Sequence, residues 1–144
     1  MRIHPLLLLP VGLLIAAEAK DDDAAKKELK KLSGTYVMVS GESKAEKVPE
    51  ERIKDAKLMI EGTGYTAGFG GDTVKGTLKL DPTKTPKEMD ATNSEGKTML
   101  GIYKFDKGQL TVCFAPAGEE RPKEFSVKNG TGDFIHVWKK KEKD

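Results

Sequence analysis

Val74-Lys75-Gly76-Thr77-Leu78-Lys79-Leu80 is the stretch on which the fold turns. Val74, Gly76, Leu78 and Leu80 alternate with Lys75, Thr77 and Lys79. A period of two sends successive side chains to opposite faces of a strand. The segment therefore reads as half of an antiparallel pair, with one face to a core and one to water. Gly70-Gly71-Asp72 before it supplies a tight turn, and Tyr65 to Phe69 is the strand on the other side of that turn.

The same grammar extends in both directions. Upstream, Thr35 to Ser40 and Lys57 to Glu61 are rich in β-formers. Between them Val48-Pro49-Glu50-Glu51-Arg52-Ile53 predicts one or two helical turns, with Pro at the first helical position. Asp21 to Leu32 predicts a short helix. Aspartates lead it, lysines crowd its end as the helix dipole favours, and Ala25, Leu29 and Leu32 form a narrow apolar stripe. That stripe is too thin to bury the helix deeply, and suits a helix that lies across one end of the fold or frays. Downstream, Asp81 to Pro86 is a loop and Glu88 to Thr92 a strand with Met89 and Ala91 on one face. Thr98 to Phe105 and Gln109 to Ala115 form a hairpin about Asp106-Lys107-Gly108, with Leu110, Val112 and Phe114 sharing a face opposite Cys113. Pro116 to Pro122 is a loop, Glu124 to Val127 a brief strand, and Asn129 to Gly132 a turn. Phe134 to Lys139 is the final strand, on which Phe134, His136 and Trp138 share a face. Eight or nine short strands joined by short turns predict an all-β chain. A meander closing on itself removes exposed edges, so the expected architecture is an antiparallel up-and-down β-barrel of about eight strands with a short N-terminal helix.

Leu32-Ser33-Gly34-Thr35-Tyr36 is similar to the opening of lipocalin-like domains, in which a Gly-x-Trp sits on the first strand after a short helix. Tyr36 stands here where that motif has Trp. Leu100 to Phe105, Leu110 to Pro116 and Glu120 to Phe125 resemble a family of small secreted planctomycete proteins, an uncharacterised domain family. Leu80 to Lys87 and Val48-Pro49-Glu50 resemble it as well. The resemblance spans most of the chain and implies a lipocalin-like barrel, with no known reaction attached.

Composition sets the outer bounds. The 144 residues are one domain's worth of chain. Lys+Arg is 25 and Asp+Glu 23, a formal net charge of +2. So small an imbalance excludes a strongly basic nucleic-acid binder, and 6% aromatic residues give poor support to a stacking platform for single strands. One Cys excludes an intrachain disulfide, and two His leave little for a histidine metal centre. No cofactor and no metal are expected.

Residues 1–19 read as a secretory leader. Arg2 and His4 make a weakly positive start, Leu6 to Ala17 an apolar run, and Ala17-Glu18-Ala19 a small-x-small cleavage pattern. The run falls short of the ~20 apolar residues that a span requires, so no stable membrane span is expected after cleavage. The expected organisation is a leader (1–19), a helix and linker (20–33), a barrel domain (34–140) and a charged tail (141–144). The location is exported, periplasmic or extracellular.

Chemistry-bearing residues are few. Cys113 reads as a small buried hydrophobe. His136 could serve as a general base with a nearby hydroxyl such as Ser126, but no nucleophile elbow is present. Gly62-Thr63-Gly64 and Gly68 to Gly71 precede strands rather than a helix, so they read as turns and not as a phosphate loop. No catalytic residue is assigned. The remaining candidate is the barrel interior, expected to include Tyr36 (or its neighbours Val37 and Val39), Leu58, Ile60, Leu78, Leu80, Met89, Leu110, Val112, Phe114 and Trp138. Of these, Tyr36, Leu58, Ile60, Leu78, Met89, Val112, Phe114 and Trp138 are the candidate ligand contacts. The same residues describe a core filled by its own side chains, which is the plainer expectation for eight strands. Three functional readings follow. The first is an exported, non-enzymatic binding module that holds a small apolar ligand or meets an envelope protein. The second is a structural or inhibitory protein acting through loop residues Glu119, Glu120 and Arg121. The third is a hydrolase.

Overall fold

The computed structural model describes residues 23–44 and 46–142. The leader reading lies outside them. The described chain begins with helix α1 (residues 23–32), followed by β1 (Gly34–Ser43), α2 (Glu50–Asp55), β2 (Ala56–Glu61) and β3 (Gly64–Phe69). Then come β4 (Asp72–Asp81), β5 (Lys87–Asn93), β6 (Thr98–Asp106), β7 (Gln109–Phe114) and β8 (Phe134–Lys140). Each strand pairs antiparallel with the next, and β8 returns to β1, giving a closed eight-stranded barrel in sequence order. The expected all-β, lipocalin-like meander is thus the fold. Among the described residues no helix is long and apolar enough to cross a membrane.

Alternation along the strands sorts the side chains. On β2, Ala56, Leu58 and Ile60 are buried while Lys57, Met59 and Glu61 are exposed. On β4, Leu78 and Leu80 are buried and Lys75, Thr77 and Lys79 exposed. Two glycines hold inward positions where the wall has no room for a Cβ. At Gly76 it would collide with the Thr92 carbonyl and approach Cε1 of Tyr65 to 2.8 Å. At Gly101 it would meet the Phe114 ring and the Cys113 carbonyl. Both let an aromatic ring cross the inner face of the neighbouring strand.

On β1 the β1–β8 register shifts between Met38 and Ser40. The extra residue, Val39, points outward and is 46% exposed. Met38 opposes Trp138 and Gly41 opposes His136. A bulge of this kind bends the strand, which suits β1 for closing the barrel. Tyr36 is the inward residue of the Tyr36/Val37/Val39 group, fully buried in the core.

Helix α1 stops one end of the barrel. Leu29 and Leu32 join the core. Fully burying a leucine stabilises by roughly 1.5–3 kcal/mol. The Tyr36 hydroxyl donates to the Leu32 carbonyl at 2.6 Å. Glu28, the one buried charged residue among those described, receives bonds from the Lys87 ammonium and the Tyr103 hydroxyl, each at 2.8 Å. Burial opposes the ionised Glu28, but its bonds to Lys87 and Tyr103 outweigh that effect and lower its pKa. The sequence marked the leucines of this helix and not Glu28, because its partners lie on strands far along the chain.

The expected strand at Glu124 to Val127 is absent. Residues 115–133 instead form a long connection from β7 to β8 without strand pairing. It crosses the outer wall of β5, β6 and β7 as a strap. Arg121 donates to the Gly101 carbonyl at 2.9 Å and pairs with Asp90 at 2.7 Å and Glu88 at 3.5 Å. Lys104 lies 4.9 Å from the centre of the Phe125 ring. Ile102, Cys113 and Val127 are buried here, outside the barrel's main core. Apolar residues in this segment mimic a strand's alternation because one side of the strap faces the wall, yet the wall's backbone is already paired within the sheet. Pro49 also differs from expectation, capping α2 rather than opening its first turn.

Candidate functional site

The barrel interior is filled at one end and open at the other. Leu29, Leu32, Tyr36, Leu80 and Tyr103 belong to the filled end beside α1, where they are buried and do not line the cavity. The other end carries α2, the β3–β4 and β5–β6 turns and the root of the strap, as the meander requires. From it a cavity of about 300 Å³ runs into the barrel. That volume sits at the lower limit of small-molecule pockets, ~300–1,000 Å³. The plainer expectation, an interior filled throughout, is corrected here: a cavity remains, and its wall includes the small residues Ala67 and Ala91.

Seven of the eight candidate contacts meet on the cavity wall: Leu58, Ile60, Leu78, Met89, Val112, Phe114 and Trp138. Tyr36 does not. Its hydroxyl is committed to Leu32, and its ring forms part of the packed end between α1 and the cavity floor. Burial raises the Tyr36 pKa to about 12, so the hydroxyl remains a donor. Leu110, Phe134 and His136, placed on inward faces by alternation, also line the cavity.

Tyr65, Ala67, Phe69, Val74, Ala91 and Met99 complete the wall. The signal for most was present. Tyr65, Ala67 and Phe69 follow a period of two, Val74 is in phase with Leu78, and Ala91 with Met89. Met99 was obscured because the next inward position on β6 is Gly101.

One side of the cavity is aromatic. His136 lies 4.4 Å from Phe134, 5.7 Å from Phe69 and 5.9 Å from Trp138, centre to centre. Phe114 is 5.6 Å from Phe134, and Phe69 is 6.1 Å from Trp138. These separations fall in the range of favourable aromatic pairs, ~4.5–7 Å, or close to its edge. Strands β4, β5 and β6 add Val74, Leu78, Met89, Ala91 and Met99 to the wall. Val74, at the rim, is 40% exposed.

Among the described residues no Asp, Glu, Lys or Arg lines the cavity. The described residues of the wall that carry a polar group are Tyr65, His136 and Trp138. Burial lowers the His136 pKa to about 4, so the ring is neutral at neutral pH, with one donor and one acceptor nitrogen. Burial likewise raises the Tyr65 pKa and keeps its hydroxyl protonated.

The geometry separates the groups that a hydrolase reading would join. His136 faces inward. Cys113 faces outward beneath the strap, its Sγ 3.9 Å from the Ser126 carbonyl. Ser126 lies on the strap itself, where its Oγ accepts from the Lys128 and Asn129 amides. The barrel wall stands between His136 and both of them. Burial pushes the Cys113 thiol up, against thiolate formation. Arg121, grouped with Glu119 and Glu120 as a loop contact, is spent on the barrel wall, while Glu119 and Glu120 are exposed. Among the described residues no group of three or more His, Cys, Asp or Glu is arranged to hold a metal ion. No family model, no curated protein and no solved structure matches the chain.

Proposed function

We propose that the chain is an exported, non-enzymatic carrier that holds one compact apolar molecule in the open half of the barrel. One observation carries this reading: the cavity of about 300 Å³ lined almost wholly by apolar side chains, in a barrel whose other end is packed and stopped by α1. At the packing density of protein interiors such a space suits on the order of ten to twenty non-hydrogen atoms. Export rests on the leader pattern of residues 1–19. The hydrolase reading draws no support from the separation of His136, Cys113 and Ser126. The loop-binding reading loses Arg121 as a free contact.

Filling the cavity tests the carrier reading. N-phenylnaphthylamine, a fluorophore that brightens in apolar surroundings, is titrated into the native protein and into Ala91→Phe and Ala67→Leu. The native protein is expected to enhance its emission saturably at one site. Each variant should fold and bind at least about tenfold more weakly, since the added side chain occupies space the probe needs. Equal binding by native and variant proteins would place the probe outside the barrel and end the carrier reading.

A further inference from the structure

The cavity's walls restrict the chemistry of what it can hold, and the inference here rests on the carrier reading. Its two sides differ. Phe69, Phe134, His136 and Trp138 cluster together, whereas Met89 and Met99 enter from β5 and β6, three and two strands from β8 in the closed order. A flat ring placed between them meets aromatic faces or edges on one side and polarisable sulfur on the other, both favourable for an aromatic guest. A flexible alkyl chain gains the same area but gives up more rotational freedom when confined.

Charge narrows the choice further. A carboxylate or ammonium taken into this space finds no opposite charge on its walls among the described residues, and an unpaired buried charge is strongly disfavoured. The imidazole of His136 offers one hydrogen bond to a neutral group as donor or as acceptor. Phe69 and Phe134 have no polar atoms and the Trp138 indole N–H could serve only the acceptor nitrogen, so the imidazole N–H of His136 finds no acceptor in the aromatic cluster. A guest with one polar atom at this level supplies the missing partner.

We propose that the natural ligand is an uncharged, flat aromatic or heteroaromatic molecule of one or two fused rings, with one polar atom that hydrogen-bonds to His136. Acidic lipids such as fatty acids are excluded by the same wall. The ligand is oriented with its rings between the aromatic and methionine sides and its polar atom toward β8.

Isothermal titration of the native protein with naphthol, naphthalene, naphthoate, decanol and decanoate tests this, with the Met89 and Met99 methyl resonances reporting entry into the cavity. Naphthol is expected to bind about fivefold to tenfold more tightly than naphthalene, the value of one hydrogen bond. Naphthoate and decanoate should bind at least about a hundredfold more weakly than naphthol, and decanol more weakly than naphthol. In His136→Phe the preference for naphthol over naphthalene should disappear while naphthalene still binds. The comparison among ligands uses the native protein alone, so it stands even if the variant folds poorly. Cavity binding led by decanol or decanoate would overturn the aromatic assignment, binding led by either carboxylate would overturn the exclusion of charge, and each would leave the carrier reading intact. Failure of all five to move the methionine resonances would overturn both.

Discussion

His136 is a residue whose protonation in mild acid the fold alters. A free imidazole titrates near pH 6.5, whereas in the barrel wall burial lowers its pKa to about 4. Between those values the unfolded chain binds a proton that the folded chain refuses. Stability therefore rises with pH across that window, is complete above about pH 6.5, and is lost on acidification toward pH 4. The loss attributable to this residue is about 3 kcal/mol. His136→Phe removes it. Urea unfolding near pH 7 and near pH 4 should show the variant gaining about that much relative to the native protein at the lower pH. Carboxylates titrate in both proteins and cancel in the difference. Parallel pH profiles would mean that the imidazole is solvated in the folded state. Alternation placed His136 on the inner face beside Phe134 and Trp138. Its neutrality was not legible, because desolvation depends on rings contributed by β3 and β8 together.

At the scale of elements, the strap over 115–133 departs furthest from what its sequence suggested. The segment Glu124 to Val127 has the local composition of a strand, but β-structure requires a partner with free backbone groups. The barrel closes on itself through β8 and leaves none. The strap is tied instead by side chains, with Arg121 joining the Gly101 carbonyl, Asp90 and Glu88. Arg121→Ala would leave two carboxylates near each other without their cation and cost about 1–3 kcal/mol. The strap should then open locally more often than the barrel unfolds. Cys113, buried beneath it, is a built-in reporter. Its reaction with a thiol reagent under native conditions is expected to accelerate at least about tenfold in Arg121→Ala. An unchanged rate would show that Val127 and the other apolar contacts hold the strap without Arg121.

For the whole molecule, stability and ligand binding are linked because the cavity exists only in the folded state. N-phenylnaphthylamine at about a hundred times its dissociation constant adds ~2.7 kcal/mol to folding. For a domain of this size that raises the midpoint of thermal unfolding by about 10 °C. Calorimetry should show the rise in the native protein and not in Ala91→Phe. A rise of equal size in both would mean that the fluorophore stabilises through the outer surface. The sequence by itself determined the all-β class, the order of the strands and the inward faces of β2, β4, β7 and β8, because a period of two is a local property that closure of the barrel preserves. It marked Leu29 and Leu32 as the apolar stripe of α1 for the same local reason, but not the depth of their burial, which the barrel end supplies. Only the tertiary structure decided that Tyr36 belongs to the packed end, that Glu28 is held by Lys87 and Tyr103, and that the opposite end is hollow. Inward direction is fixed by neighbours along the strand. Whether the inward space is filled depends on the volumes of side chains that meet across the barrel from distant parts of the chain.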